Sequence, residues 1–239
     1  MKTCLLMGVE PEFDSANPQQ AIQTLKSTDT VIAMTPFVTS TMKEYADVLL
    51  PVTPYTETSG SFINCEGKVQ SFKGVTSSLG ESRPGWKVLR VMGNLLDIQN
   101  FDYMNTEEIL LHELDRIGEI KANNFVQMTE TVNLPESSSG LTRISATACY
   151  QEDGIVRRAQ SLQQTHDAQD TQVRINSALA STLNVDNGGH VMVKQDNQDI
   201  RFTIIIDDGV ADQCVWIPAA TKESARLGAM FASIVLEAG

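Results

Sequence analysis

Little in this sequence points to thiol or metal chemistry. Four cysteines, Cys4, Cys65, Cys149 and Cys214, are scattered singly through 239 residues, with no CxxC pair and no close histidine partner. Neither a zinc site nor an iron–sulfur ligand set can be read from that spacing, and four reduced thiols are expected. His112, His166 and His190 stand in unlike segments and match no ligand pattern. Basic residues are few: 18 Lys plus Arg against 30 Asp plus Glu give a net charge of −12. Such a field repels phosphate backbones and anionic lipid surfaces, which excludes nucleic acid as an expected partner. Apolar runs are short, as at residues 48–50 and 204–206, whereas a membrane span needs about 20 residues, so no direct membrane insertion is expected. The opening MKTCLLMGVEPEF has only a brief apolar core and no small-residue cleavage site, which disfavours secretion. No GxSxG elbow, GxxxxGK[ST] loop or GxGxxG loop occurs.

What is present is ordinary globular composition, 41% hydrophobic and 20% charged, on a chain comfortable for two domains of about 100 to 200 residues. Residues 3–9 (TCLLMGV) read as a buried strand. A helical segment follows around residues 21–26, announced by Asn17-Pro18 and carrying Ala21, Ile22 and Leu25 on one face. A strand at 31–34, a short helix at 40–45 and a strand at 47–52 complete an alternation that predicts a parallel α/β sheet. Residues 53–82 carry four glycines, and extended pieces at 61–64 and 69–72 flank the turn Glu66-Gly67, which predicts an elaborated hairpin. Pro84 opens a helix with Trp86, Leu89, Met92 and Leu96 at helical spacing. Asn105 and Glu108 have the capping-box pattern before Ile109, Leu110, Leu114 and Ile117.

Periodicity fades beyond residue 120, and PESSSG at 135–140 is the most loop-like part. The expected organisation is an α/β domain at 1–120, a connection at 121–153 and a second domain at 154–239. Short strands at 172–175, 191–194, 201–206 and 214–218, separated by NVDNGG, DNQD and DDGV, make the second domain a small closed β-barrel.

The one concentrated polar signal is TETSGSFINCEGKVQSF, residues 56–72. It follows the carboxyl end of a predicted sheet strand, where open α/β folds place their ligand crevice. Glu57 and Glu66 are the carboxylates to nominate there, and Gly60 and Gly67 let the backbone turn sharply or approach a ligand closely. Two readings stay open: a loop that grips a cofactor, and a hairpin whose polar side chains satisfy one another. No catalytic residue and no metal ligand is assigned.

Residues 46–72, ADVLLPVTPYTETSGSFINCEGKVQSF, resemble the late part of the large domain of the molybdopterin oxidoreductase superfamily, with Asp47, Pro51, Glu57, Gly60, Asn64, Glu66, Gly67 and Gln70 in the family's order. GESRPGWKVLRVMGNLL at 80–96 resembles the Arg-Pro-x-Trp helix that follows. VEPEFD at 9–14, TPFVTSTMKEYADVLLP at 35–51 and FDYMNTEEI at 101–109 resemble one branch, the large iron–sulfur subunit of bacterial NADH:quinone oxidoreductase, respiratory complex I. The tail, with residues 173–193 and VWIPAA at 215–220, resembles the superfamily's double-psi β-barrel, although Ser177 and Asn187-Gly188-Gly189 stand where the family more often has Pro and a GD-type turn.

The resemblance implies a C-terminal portion of that large subunit, supporting electron transfer from NADH to quinone without a redox centre or cofactor of its own. Iron–sulfur clusters are then expected in a cysteine-rich upstream part. The implied partners are that upstream part and other subunits of the complex's peripheral arm, on the cytoplasmic face of the bacterial plasma membrane. Glu57, Gly60, Asn64, Glu66, Gly67 and Gln70 become an inherited cofactor loop kept as structure. An alternative is the C-terminal part of an oxidoreductase that grips molybdopterin guanine dinucleotide through Glu57, Asn64 and Gln70. A free-standing small-ligand binder is a third reading, disfavoured because a strand at the very start of the chain would form a sheet edge lacking upstream neighbours.

Overall fold

The computed structural model describes residues 2–118, 140–169 and 171–239. Strands β1 (Thr3–Met7), β2 (Thr30–Thr35) and β3 (Val48–Pro51) pair in parallel in that order, with Leu5 beside Ile32 and Ile32 beside Val48. The chain turns from β1 to β2 through α1 (Pro11–Asp14) and α2 (Pro18–Lys26), and α3 (Met42–Tyr45) precedes β3. α2 starts where Asn17-Pro18 predicts: the Asn17 side chain accepts from the Gln20 amide at 3.1 Å, and Pro18 sits where a missing N–H costs nothing. Leu25, Met42 and Tyr45 pack with Val31 and Ala33 in a small core on one face of the sheet. β1 differs from the buried strand expected, because it lies at the sheet's edge and its residues alternate between exposed and half-buried.

The expected hairpin is formed by β4 (Gly60–Ile63) and β5 (Val69–Phe72), antiparallel. Helices α4 (Gly85–Leu95) and α5 (Thr106–Ile117) follow. At α5 the Asn105 side chain accepts from the Glu108 amide at 2.9 Å, and the Glu108 carboxylate accepts from the Met104 amide at 2.7 Å. The reciprocal cap satisfies donors that a helix start leaves unpaired.

The C-terminal unit comprises β6 (Leu141–Ile144), α6 (Gln160–Gln163), β7 (Val173–Ile175), α7 (Ser177–Leu183), β8 (His190–Gln195), β9 (Gln198–Ile206), β10 (Cys214–Trp216) and β11 (Ser233–Ala238). Its six strands close into a barrel in the order β10-β6-β11-β8-β9-β7, with parallel β6/β10 and β7/β9 pairs and antiparallel pairs elsewhere. Alternate residues of β8 and β9 point inward, so Val191, Val193, Ile200, Phe202 and Ile204 fill the barrel with Val173, Val215 and Leu236. Asp196 and Asn197, both at positive φ, form the two-residue turn between these strands, the geometry a tight hairpin requires.

Two barrel strands lie outside the four expected. β6 falls within the stretch 121–153 expected as a connection, whose 121–139 part, with Pro135–Ser139 of PESSSG, lies outside the described residues. β6 carries Arg143 at 1% exposure in its middle, so its sequence does not read as a buried strand. The guanidinium donates to Ser145 Oγ at 2.9 Å and to the Gly228 carbonyl at 3.1 Å, and burial pushes its pKa down to about 10. The two units also touch through the Met230 amide donating to the Ala16 carbonyl, and Gln19 Nε2 to the Ala225 carbonyl, each at 2.9 Å.

Candidate functional site

The three parallel strands end together, and their carboxyl ends open onto a cleft of about 640 Å³. One wall is built from the residues after β1 (Gly8–Glu10), after β2 (Pro36, Phe37) and after β3 (Val52–Tyr55). The other comes from Thr147, residues 152–155, Arg157 and Met230. This is where open α/β sheets place ligands. Gly8, at φ +64, turns the chain sharply out of β1, while its amide still donates to the Met34 carbonyl at 2.9 Å.

An ion cluster closes one end of the cleft. Arg157 donates to Glu10 Oε2 at 2.8 Å and to Asp14 Oδ1, and Arg158 donates to Glu10 Oε1 at 2.5 Å. The side chains of Arg157 and Glu10 are 7% and 5% exposed, so this is a buried network rather than a surface pair. Arg157 also donates to the Gln151 carbonyl, and Arg158 to the Gly154 carbonyl. Each guanidinium lies over an aromatic ring, Arg157 over Phe13 and Arg158 over Phe37, at 5.1 and 4.4 Å from the ring centres. The Glu10 amide donates to Asp14 Oδ2 at 2.7 Å, which ties the Asp14 carboxylate back to the residue before α1. Nearby, Glu12 is buried and accepts from Thr39 Oγ1. Burial, together with the charges of Glu12, Glu10 and Asp14, raises the Tyr45 phenol well above its ordinary value, and its buried hydroxyl has no hydrogen-bond partner among the described residues.

The loop singled out in the sequence is organised differently. Glu57 lies in a 3-10 turn (Tyr55–Glu57), and its Oε2 accepts from the Leu79 amide at 3.0 Å. Asn64, Glu66 and Gly67 come together at the tip of the hairpin, where Asn64 Oδ1 accepts from the amides of Glu66 and Lys68, and Gly67 has φ +76. Gly60 lies in β4 without positive φ, contrary to the turn geometry expected. Its requirement is space, since a Cβ there would stand 2.9 Å from the Phe72 ring. Gln70 is exposed on β5, opposite Phe62. Glu57 lines an open groove of about 700 Å³ together with Arg83, Trp86 and Lys87, apart from the hairpin tip. The six therefore do not converge on one site. The cleft's own charged residues were missed because Glu10 and Arg157 are 147 residues apart. The available signal was an adjacent arginine pair in an acid-rich chain.

Molybdopterin guanine dinucleotide, implied by the resemblance, carries an anionic pyrophosphate, and such groups are held by free cations and unpaired amides. The charged residues lining the strand-end cleft are Glu10, Asp14, Glu152, Asp153 and Arg157. Arg157 is already engaged by two carboxylates, and Asp153 Oδ1 takes the amides of Ile155 and Val156 at 2.7 and 3.0 Å. This donor set does not fit an anionic dinucleotide. Among the described residues no three His, Cys, Asp or Glu side chains are grouped so as to hold a metal ion.

Residues 1–95 match the family model described as molybdopterin oxidoreductase. YrhE of Bacillus subtilis (strain 168), which carries a provisional formate dehydrogenase name, is 31% identical over 109 residues, 46% of this chain and 11% of that protein. The mitochondrial NADH-ubiquinone oxidoreductase 78 kDa subunit of Candida albicans is 37% identical over 76 residues, 32% of this chain and 10% of that one. The matched stretches thus span about a tenth of these relatives. Acetylene hydratase from Pelobacter acetylenicus superposes with a TM-score of 0.63 at 16% identity, covering 95% of this chain and 40% of that one, which shows the shared fold.

Proposed function

We propose that this chain is a structural, non-redox part of the large iron–sulfur subunit of an NADH:quinone oxidoreductase, and that its six-stranded barrel is of the double-psi type. The observation that carries this reading is the closed ion cluster: Arg157, the basic residue lining the strand-end cleft, is held by Glu10 and Asp14, and the other charged residues lining the cleft are acids. The similarity to the 78 kDa subunit points in the same direction. On this reading Glu57, Gly60, Asn64, Glu66, Gly67 and Gln70 serve the hairpin and its attachment, and the iron–sulfur clusters belong to an upstream part of the parent subunit. The partners are that part and neighbouring peripheral-arm subunits on the cytoplasmic side. No helix among the described residues is long and apolar enough to cross a membrane, as a peripheral position requires.

The longer match to a formate dehydrogenase homologue favours a second reading, a cofactor-dependent oxidoreductase whose pterin is gripped by the same loop. The test is metal and pterin analysis of the intact native assembly that contains this chain. The structural reading expects NADH:quinone turnover with no molybdenum and no pterin fluorescence released on denaturation. Molybdenum and pterin recovered together in fixed proportion to the chain would establish the second reading instead.

A further inference from the structure

A parallel sheet is normally covered on both faces, because its crossover connections lay helices there. Here one face, formed by Val31, Ala33 and their neighbours, is covered by α2 and α3. On the other, the register aligns Leu5, Ile32 and Val48 in one row and Met7, Met34 and Leu50 in the next. The start of α4 reaches only the second row, where it covers Met34 but leaves Met7, at the β1 edge, 49% exposed. A Cβ on Gly85 would stand 2.3 Å from the Met7 methyl and 3.9 Å from that of Met34, and Met34 is fully buried. The first row is open, with Leu5 44% and Val48 41% exposed. The outer edge of β1 has no strand beside it among the described residues, and the backbone groups of β1 not turned toward β2 face that edge. Of the large apolar side chains left exposed among the described residues, all but Phe231 and Val235 belong to residues 2–118. The barrel closes its own core, and the sheet unit does not.

We infer that the open row Leu5–Ile32–Val48, with the free edge of β1, is a docking surface for a further α/β segment of polypeptide: a strand that pairs with β1 and an amphipathic helix that lies over the row. The occupant is identified by the unfinished sheet and by length. A parallel strand and its covering helix continue the architecture already present, and the superposed acetylene hydratase chain has 60% of its length outside the region matched here. A second copy of this chain fits less well, because its own β1 edge would have to pair around a two-fold axis and therefore antiparallel. This inference rests on the proposed place of the chain in a larger subunit, and it names the surface that makes the join.

The experiment co-produces the full chain with the polypeptide encoded immediately upstream of it, separately tagged. Wild-type chain, Leu5→Lys/Val48→Lys and the barrel control Val235→Lys are compared by recovery of the upstream polypeptide, by melting temperature and by amide exchange of β1. The expected result is equal recovery with wild type and V235K, at least tenfold slower exchange of the β1 amides in the complex, and at least tenfold lower recovery with L5K/V48K at an unchanged melting temperature. Undiminished recovery with L5K/V48K overturns the surface while leaving the parentage intact. A wild-type chain that ignores the upstream polypeptide overturns the parentage and the surface together. A self-associating chain made monomeric by L5K/V48K overturns the choice of occupant in favour of a second copy.

Discussion

Arg157 reaches back 147 residues to Glu10, donating at 2.8 Å from a position where both side chains are almost fully withdrawn from solvent. One contact thereby joins the segment between barrel strands β6 and β7 to the first turn after β1. The buried charges hold because each has several partners, and removal of one strands the others.

Arg157→Ala should therefore destabilise the chain by about 3 to 5 kcal/mol, the range for breaking a buried pair. Arg158→Ala should cost about 1 kcal/mol, since Arg158 is 33% exposed and solvent screens its pairing. Urea unfolding measures both, and limited proteolysis reports whether residues 145–165 detach first. Equal losses in the two variants would mean that Arg157 is not the residue holding the units together.

The local parts of the fold were legible in the sequence and the long-range parts were not. Asn17-Pro18, the Asn105/Glu108 cap and the Gly67 turn announce themselves because their chemistry is complete within four residues. β6 hides behind a buried arginine whose partners lie as far away as Gly228. The cleft is hidden for the same reason, because its ion cluster joins Glu10 to Arg157, 147 residues further along the chain. The polar loop was conspicuous in sequence, yet much of its polarity serves its own turn.

The two hairpin glycines should fail for different reasons. Gly67→Ala places a Cβ at φ +76 and should cost about 1 to 2 kcal/mol whatever surrounds it. Gly60→Ala meets only the Phe72 ring, which stacks on Phe62 at 5.3 Å. Phe72→Ala should therefore remove the penalty of Gly60→Ala and leave that of Gly67→Ala in place. Amide exchange across β4 and β5 in the single and double variants reads this out. Rescue of both glycine variants by Phe72→Ala would refute the backbone explanation for Gly67.

Tyr45 sets a pH dependence. Its phenol is raised by burial and by Glu12, Glu10 and Asp14, so the folded chain keeps a proton that the unfolded chain releases near about pH 10. The resulting stabilisation is complete below that pH and is lost progressively above it. Tyr45→Phe has no such loss. It should match or exceed wild type by up to about 1 kcal/mol at about pH 8, because the buried hydroxyl has no partner. Its advantage should then grow by about pH 11. Urea midpoints across this range test the sign, and a gap that stays constant would show that Tyr45 ionises equally in both states.

Glu57 separates structure from chemistry at the loop. Its carboxylate accepts from the Leu79 amide at 3.0 Å and lines the groove beside Arg83, Trp86 and Lys87. Glu57→Gln keeps an acceptor oxygen on a side chain of the same shape, so the Leu79 contact survives while the charge is lost. Glu57→Ala removes the acceptor and should cost about 1 kcal/mol, a hydrogen bond's usual net contribution, loosening residues 74–82. If the loop is structural, Glu57→Gln leaves assembly and NADH:quinone turnover of the parent complex near normal, whereas Glu57→Ala lowers the yield of assembled complex with turnover per complex unchanged. Turnover must be normalised to assembled complex to separate the two effects. A fully assembled Glu57→Gln complex that has lost turnover would show that the charge itself is used, and would return the loop to the cofactor-gripping reading.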